Sequence, residues 1–294
     1  MRDLFAHTSA HWGRYSEYEW KDAPDGHSYL LPAENATPSV FDPMKDPTTL
    51  VIDALDIGLM LFGRKPEAKM KQAIRSFAGK YGLLGIMTAL PTTAEFINYE
   101  KVYLPKNPFL RKESMETLEY MRLFFPFIPP DFRKRGEEYV WETEDKNEIA
   151  FAMTFKTEPQ AMVMSFMHNY GERYDWLCKL FKDWAFLALT PTYYMEDKQR
   201  GDPDTIALFR KAIAAFDGNA PTYHIELWDK PTLVWDFHSL LLDIRFLLST
   251  MLTDDQTPLR ICKQCHKPFI ASNPDENCCS EACEEDSKKI KNKI

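Results

Sequence analysis

Apolar residues recur three and four positions apart over most of the chain, a period that predicts a mainly α protein. Leu50, Ala54, Ile57, Met60 and Leu61 mark a first helix. Asp46 ahead of Pro47 supplies a cap and a first-turn proline for it, and Gly63 supplies a stop. A second helix, from Pro66, carries Met70, Ile74, Phe77 and Ala78 on one face and ends between Gly79 and Gly82. A third spans 112–124, where the following prolines end it. The pattern is strongly helical from Pro159 to Leu189, with an interruption at Gly171, and Pro191 closes it. A polar loop over 195–204 then leads to a helix capped by Asp204, lined by Ile206, Leu208, Phe209, Ile213 and Phe216 and terminated by Gly218. Phe237, Leu240, Leu241, Ile244, Leu247, Leu248 and Met251 line a last long helix, which delivers the chain into its C-terminal stretch.

Period-two patterns are few. Residues 23–26 read as a turn ahead of a short strand at 27–32. Thr222 to Trp228 and Thr232 to Asp236 alternate around a turn at 229–231 and predict a β-hairpin. Alternation places His224 and Glu226 on one face of it, in solvent, and Tyr223, Ile225 and Leu227 on the other, expected to be buried. Residues 131–146 form a charged insertion, and 149–155 fit a strand and a helix start equally well. Gly79, Gly82 and Gly85 mimic the spacing of a phosphate loop, but they follow a helix and lack the Gly-Lys-Ser/Thr ending. A helix cap and close packing explain them better.

Composition narrows the partners. Hydrophobic residues make up 45% of the chain and charged residues 27%, as in an ordinary globular protein. Aromatic content is high, at 14%, and rings such as Trp176, Phe181 and Trp184 fall at helical spacing, which assigns them to a core. A formal net charge of -8 argues against whole-surface affinity for nucleic acid or an anionic membrane, because both are bound chiefly by Lys and Arg. With no apolar signal region at residues 1–8 and no uncharged run long enough to span a bilayer, the expected location is the cytoplasm, away from membranes.

Five of the six cysteines lie between positions 262 and 283, a clustering that suits metal binding better than a disulfide framework. Cys262 and Cys265, two residues apart in between, form a turn whose amides can face metal-bound sulfurs, and Phe269 follows as an apolar anchor. Cys279 and Cys283, four apart, share one side of a starting helix capped by Ser280. Together these four close a tetrahedral thiolate shell of the structural zinc type. Cys278 is an alternative to Cys279 in the second pair, and His266 is a poor substitute because it directly follows Cys265 and would strain the turn.

Leu259, Arg260 and Ile261 before Cys262, Phe269 after Cys265, and Ser280 after Cys279, entered from a long apolar helix, resemble the C-terminal treble clef of bacterial helical proteins related to the CGNR zinc-finger family. The resemblance covers roughly the last 60 residues. It implies a helical body over 1–258, with its small β-hairpin, and a zinc finger over 259–294. It also implies a non-enzymatic regulator or adaptor that binds nucleic acid or a nucleoprotein partner. Two other classes compete. Arg2 and His7 have the spacing of a metal-independent nuclease pair, His as general base and Arg as phosphate stabiliser. The acidic composition fits a protein-binding inhibitor of phage or mobile-element origin. His168 shows no ligand spacing to another His or Cys, and no nucleophile elbow, His-Glu-x-x-His pair or Walker motif occurs.

Overall fold

The structure, a computed structural model, describes residues 12–63, 65–89, 99–104, 108–127, 132–135, 138–141, 168–200, 202–214, 216, 221–237, 239–273 and 275–291. In chain order its elements begin with β1 (Trp12–Tyr15), β2 (Tyr18–Asp22), β3 (Ser28–Pro32) and β4 (Pro38–Phe41). Then come α1 (Pro47–Phe62), α2 (Glu67–Tyr81), α3 (Ile86–Ala89), β5 (Lys101–Tyr103), β6 (Ser114–Glu116), α4 (Thr117–Arg122), β7 (Phe132–Arg135), β8 (Glu138–Trp141) and β9 (Glu172–Arg173). The chain continues with α5 (Tyr174–Arg200), α6 (Pro203–Ala214), β10 (Thr222–Leu227), β11 (Pro231–Asp236), α7 (Leu240–Leu252), β12 (Leu259–Ile261), β13 (Pro268–Ile270) and α8 (Glu281–Lys291). Among the described residues the fold is mainly helical with small antiparallel sheets and no closed barrel. It divides into two compact units: 1–45 with 71–177 and 221–243, and 46–70 with 178–220 and 244–294.

In the first unit, β1 pairs with β4, and β2, β3 and β9 make a three-stranded antiparallel sheet. Gly26, at φ +82°, makes the turn between β2 and β3, and its N–H donates to the Ala23 carbonyl at 3.0 Å. The core is aromatic: Trp12, Tyr15, Tyr18, Tyr29, Tyr120, Phe124, Phe125, Tyr170 and Trp176 are all buried. Rings meet edge-on or offset, as at Tyr120 and Phe124, 5.2 Å between centroids. His168 belongs to this packing, with Nε2 2.7 Å from the Ala33 carbonyl oxygen and its ring edge-on to Tyr15. Only β3 among these strands is foreshadowed by local pattern; β1 and β4, and β3 and β9, pair residues far apart in sequence, such as Trp12 with Phe41 and Leu30 with Glu172.

Glycine spacing at 79, 82 and 85 resolves into packing and a cap. Gly82 (φ +90°) and Gly85 (φ +71°) adopt the left-handed backbone that ends α2 and turns the chain toward α3. A Cβ at Gly82 would lie 2.5 Å from the Gly13 carbonyl oxygen, and one at Gly85 would lie 2.8 Å from the Trp12 ring. Trp12 Nε1–H donates to the Leu83 carbonyl at 3.0 Å, tying β1 to the same loop.

In the second unit, α1 has the predicted cap: the Asp46 carboxylate accepts from the Thr49 N–H at 3.1 Å, and Gly63 follows Phe62. Leu50, Val51, Ala54, Leu55 and Ile57 are buried, as are Leu180, Phe181, Trp184, Ala185 and Ala188 of α5. The two helices touch at Gly58, where a Cβ would stand 2.1 Å from the Phe181 carbonyl oxygen. Ile244, Leu247 and Leu248 of α7 complete the apolar set with Leu259, Ile261 and Ala271.

Several expected boundaries move. Pro191 does not end a helix, since α5 continues through it to Arg200, and the polar loop expected over 195–204 is helical up to that point. The proline forfeits one backbone bond, but Leu187, Ala188 and Thr190 are buried and the Thr190 hydroxyl donates to the Phe186 carbonyl at 2.8 Å. Burial of that face outweighs the lost bond. The start of the same helix falls at Tyr174, beyond the break expected at Gly171, and 159–167 lie outside the described residues. Asp202, not Asp204, caps α6: its carboxylate accepts from the Asp204 N–H and the Thr205 hydroxyl, since Pro203 takes the first helical position. The helix expected over 112–124 begins only at Thr117, because 114–116 pair with 101–103 as a strand. Part of the charged insertion pairs as β7 and β8. Residues 149–155 and Gly218 lie outside the described residues.

Candidate metal centre

The C-terminal stretch builds its site on three elements. Strands β12 and β13 pair in the register Leu259 with Ile270, Arg260 with Phe269 and Ile261 with Pro268, and β13 lies against α1. Leu259, Ile261 and Pro268 are buried, so the hairpin is anchored by its apolar side. Between the strands the chain turns through Cys262 to Lys267: the Cys262 N–H donates to the Lys267 carbonyl at 2.8 Å and the His266 N–H to the Cys262 carbonyl at 2.9 Å. His266 sits at φ +58°, the left-handed position of this turn, and its exposed ring is not among the four side chains that meet.

The third element is α8. Ser280 is its cap, with the Cys283 N–H donating to Ser280 Oγ at 3.3 Å and the Glu284 N–H to the Ser280 carbonyl at 3.0 Å. Cys279 immediately precedes the cap and Cys283 lies on the first turn, so both sulfurs project from the helix start toward the hairpin turn.

Cys262, Cys265, Cys279 and Cys283 come together with their sulfurs all within 4.8 Å of one another. Cys265 Sγ lies 3.5 Å from Cys279 Sγ, and Cys279 Sγ lies 3.7 Å from Cys283 Sγ. A zinc ion with sulfurs at about 2.3 Å makes a tetrahedron with edges of about 3.8 Å, so these spacings fit zinc and need little adjustment. Among the described residues the donor set is four soft thiols, with no carboxylate or imidazole, as in a closed structural site.

The electrostatics of the thiols agree with a site made to hold a cation. Burial pushes the Cys262 thiol up, but backbone N–H groups of Cys265, Cys279 and Gln264 directed at its sulfur outweigh this and bring it down to about 6. Cys279 is pushed up to about 12, by burial and then by the neighbouring thiols. Sulfurs this close cannot all carry negative charge unless a cation sits among them. Cys278 lies beside the set: its thiol is raised by burial and then by Cys262, with which it makes a side-chain contact, but it is not one of the four.

Of the other sequence candidates, Arg2 and His7 lie outside the described residues. His224 does share a hairpin face with Glu226 and Asp236: Nδ1 is 2.8 Å from Asp236 Oδ2, and Nε2 is 2.9 Å from Glu226 Oε1. These two carboxylates, Asp236 first, raise the His224 pKa. The opposite face is not buried. Tyr223, Ile225 and Leu227 are 62%, 71% and 81% exposed, while Thr232 and Val234, across from Glu226 and His224, are the buried ones. Alternation separates two faces but does not say which one the rest of the molecule covers.

One functional-looking group was not foreseen. Glu172 is fully buried, and its carboxylate accepts from the N–H groups of Leu84 (2.9 Å) and Ile86 (3.0 Å) and from the Tyr170 hydroxyl (2.8 Å). The amides of the glycine loop thus hold a side chain of the protein itself where a phosphate loop would hold phosphate. Little near Glu172 in sequence signals this, since its backbone donors lie 86 and 88 residues away.

Compared with known families, curated proteins and solved structures, the chain matches none. The four-cysteine cluster is a generic metal-binding arrangement, positioned to coordinate a structural zinc. Among the described residues no helix is long and apolar enough to cross a membrane.

Proposed function

We propose that the protein is a non-enzymatic regulator or adaptor, stiffened at its C-terminus by a structural zinc, that acts by binding a nucleoprotein partner. One observation carries this reading: among the described residues four thiols, and no other donor, meet at tetrahedral spacing, so a bound zinc has no coordination position left for a substrate. A metal held this way stabilises a surface rather than performing chemistry. The residues offered to a partner are those of α8 and the exposed turn around Cys265 and His266.

Resemblance to the treble clef of CGNR-type regulators supports the nucleoprotein assignment. The Cys-Gly-Asn-Arg signature is absent, however, and Glu284, Glu285 and Asp286 stand where a basic helix would grip phosphates. Four lysines, 288, 289, 291 and 293, follow at the end of the chain. A helix acidic at its start and basic at its end suits its own dipole and favours a protein surface over bare DNA. A cytoplasmic location fits the reading, because reducing conditions keep thiols available to zinc.

The test is a pull-down from host extract with the full zinc-loaded chain and with its Cys262→Ser variant, read for protein and for nucleic acid. It is paired with a salt-titrated binding assay on DNA and RNA. A partner retained by the zinc-loaded chain and lost by the variant supports the proposal. Failure to retain any partner, or cleavage of the nucleic acid in the binding assay, overturns it.

A further inference from the structure

The hairpin of β10 and β11 segregates its side chains by chemistry. Register pairs Tyr223 with Trp235, Ile225 with Leu233 and Leu227 with Pro231, so one face carries six apolar residues in succession and no charge. His224, Glu226 and Asp236 all belong to the other face, where they bond one another. The apolar face is the one left in solvent: Tyr223, Ile225 and Leu227 are 62%, 71% and 81% exposed and Leu233 is 40% exposed. Tyr223 and Trp235 already stack edge-on at 5.6 Å, giving the face a fixed relief.

Tyr223, Ile225, Leu227 and Leu233, with the exposed Pro231, present on the order of 500 Å² of accessible surface, in the upper part of the range for the largest apolar patch of a monomer. Two copies of the face pressed together would cover roughly 1,000 Å², the size that a specific interface requires. Ile225 and Leu233 are cross-strand partners at the centre of the patch, flanked on either side by the Tyr223–Trp235 and Leu227–Pro231 pairs. A two-fold axis through that centre therefore sets apolar side chains against apolar side chains across its whole width. His224, Glu226 and Asp236 stay on the opposite face, so the contact desolvates none of these three. We propose that this face is a homodimer interface, covered in solution by the same face of a second copy of the chain. The inference stands apart from the zinc-adaptor reading, since the hairpin contributes nothing to the four-cysteine centre.

Sedimentation equilibrium of the full zinc-loaded chain, over about 1 to 100 µM, tests it. The expected result is a reversible monomer–dimer equilibrium. Ile225→Lys is expected to weaken that equilibrium about tenfold or more. A control, Leu208→Lys on α6, changes an equally exposed leucine, 63%, and is expected to leave association unchanged. Circular dichroism and zinc content establish that each variant folds, and Leu227→Lys, at the turn end of the strand, replaces Ile225→Lys if that protein does not. A chain that stays monomeric to the top of the range overturns the proposal, even if the face captures some other protein. So does a dimer indifferent to a folded lysine variant.

Discussion

Glu172 shows how much of a fold can rest on one side chain that its neighbours in sequence do not announce. Burial pushes its pKa up, while the N–H groups of Ile86 and Leu84 and the Tyr170 hydroxyl pull it back. Tyr170 in turn accepts from the Met87 N–H at 3.3 Å, and the Tyr120 hydroxyl donates to the Met87 carbonyl at 2.9 Å. The carboxylate thereby fixes the loop from Gly82 to Gly85 and the start of α3. Glu172→Gln replaces an acceptor oxygen with an NH₂ group facing backbone donors, so at least one bond is lost and one buried donor is stranded. The expected cost is about 2–3 kcal/mol, read as a lower urea midpoint. An unchanged midpoint would mean that the loop is held by Trp12 and its glycines alone. Local cues did identify the loop as a cap and a packing site, because missing motif letters and a preceding helix are visible locally. Its actual occupant was not legible, because that contact is made across the fold.

Helices were legible where burial and caps coincide, as in α1, where Asp46, Pro47 and Gly63 bracket a continuous apolar face. They were misread where a breaker residue is overruled by packing, as at Pro191. Strands were mostly illegible, being two to six residues long and some of them paired with distant partners, whereas β10 and β11 announced themselves by alternation and a near turn. The four-cysteine centre is the most legible part: spacing narrowed the set to Cys262, Cys265, Cys283 and one of Cys278 and Cys279, and the fold brings Cys279 to the other three. Its elements depend on that metal. The turn from Cys262 to Lys267 and the start of α8 are joined chiefly through sulfur contacts, with a few backbone bonds such as Lys263 N–H to the Asn277 carbonyl at 3.0 Å. Chelation is therefore expected to release one zinc per chain and to cost helical signal on the order of one short helix, since metal binding and local folding share their free energy. Cys279→Ser should lose the zinc and Cys278→Ser should keep it, by elemental analysis. The reverse result would assign Cys278 to the shell.

Across the whole molecule, burial of acidic groups tilts stability toward low pH. Asp243, fully buried near the start of α7, has neither carboxylate oxygen hydrogen-bonded, and burial followed by the nearby charge of Asp42 raises its pKa to about 8. Glu172 is raised by burial as well, and Asp56 by burial and then by Asp53. Exposed carboxylates shifted the other way, Asp202, Glu226 and Glu276, are screened by solvent and oppose this weakly. The direction follows from proton binding. An Asp held protonated in the fold but titrating near 3.9 when unfolded contributes stability that is complete below about pH 4 and is lost as pH rises toward its folded value near 8. Zinc imposes the opposite limit, because thiols must shed protons to bind it, so acid below about pH 6 removes the metal. Between these limits the Asp243 contribution is expected to fall by about 1.4 kcal/mol per pH unit from pH 6 to 8, then level off. Melting temperatures of the zinc-loaded chain from pH 6 to 9 measure it. Asp243→Asn, which cannot ionise, should flatten the decline and melt above the parent at pH 9 by several degrees, with a smaller difference at pH 6. A variant whose profile stays parallel to that of the parent would show that Asp243 does not titrate in this window, and that water or a rotated side chain satisfies it.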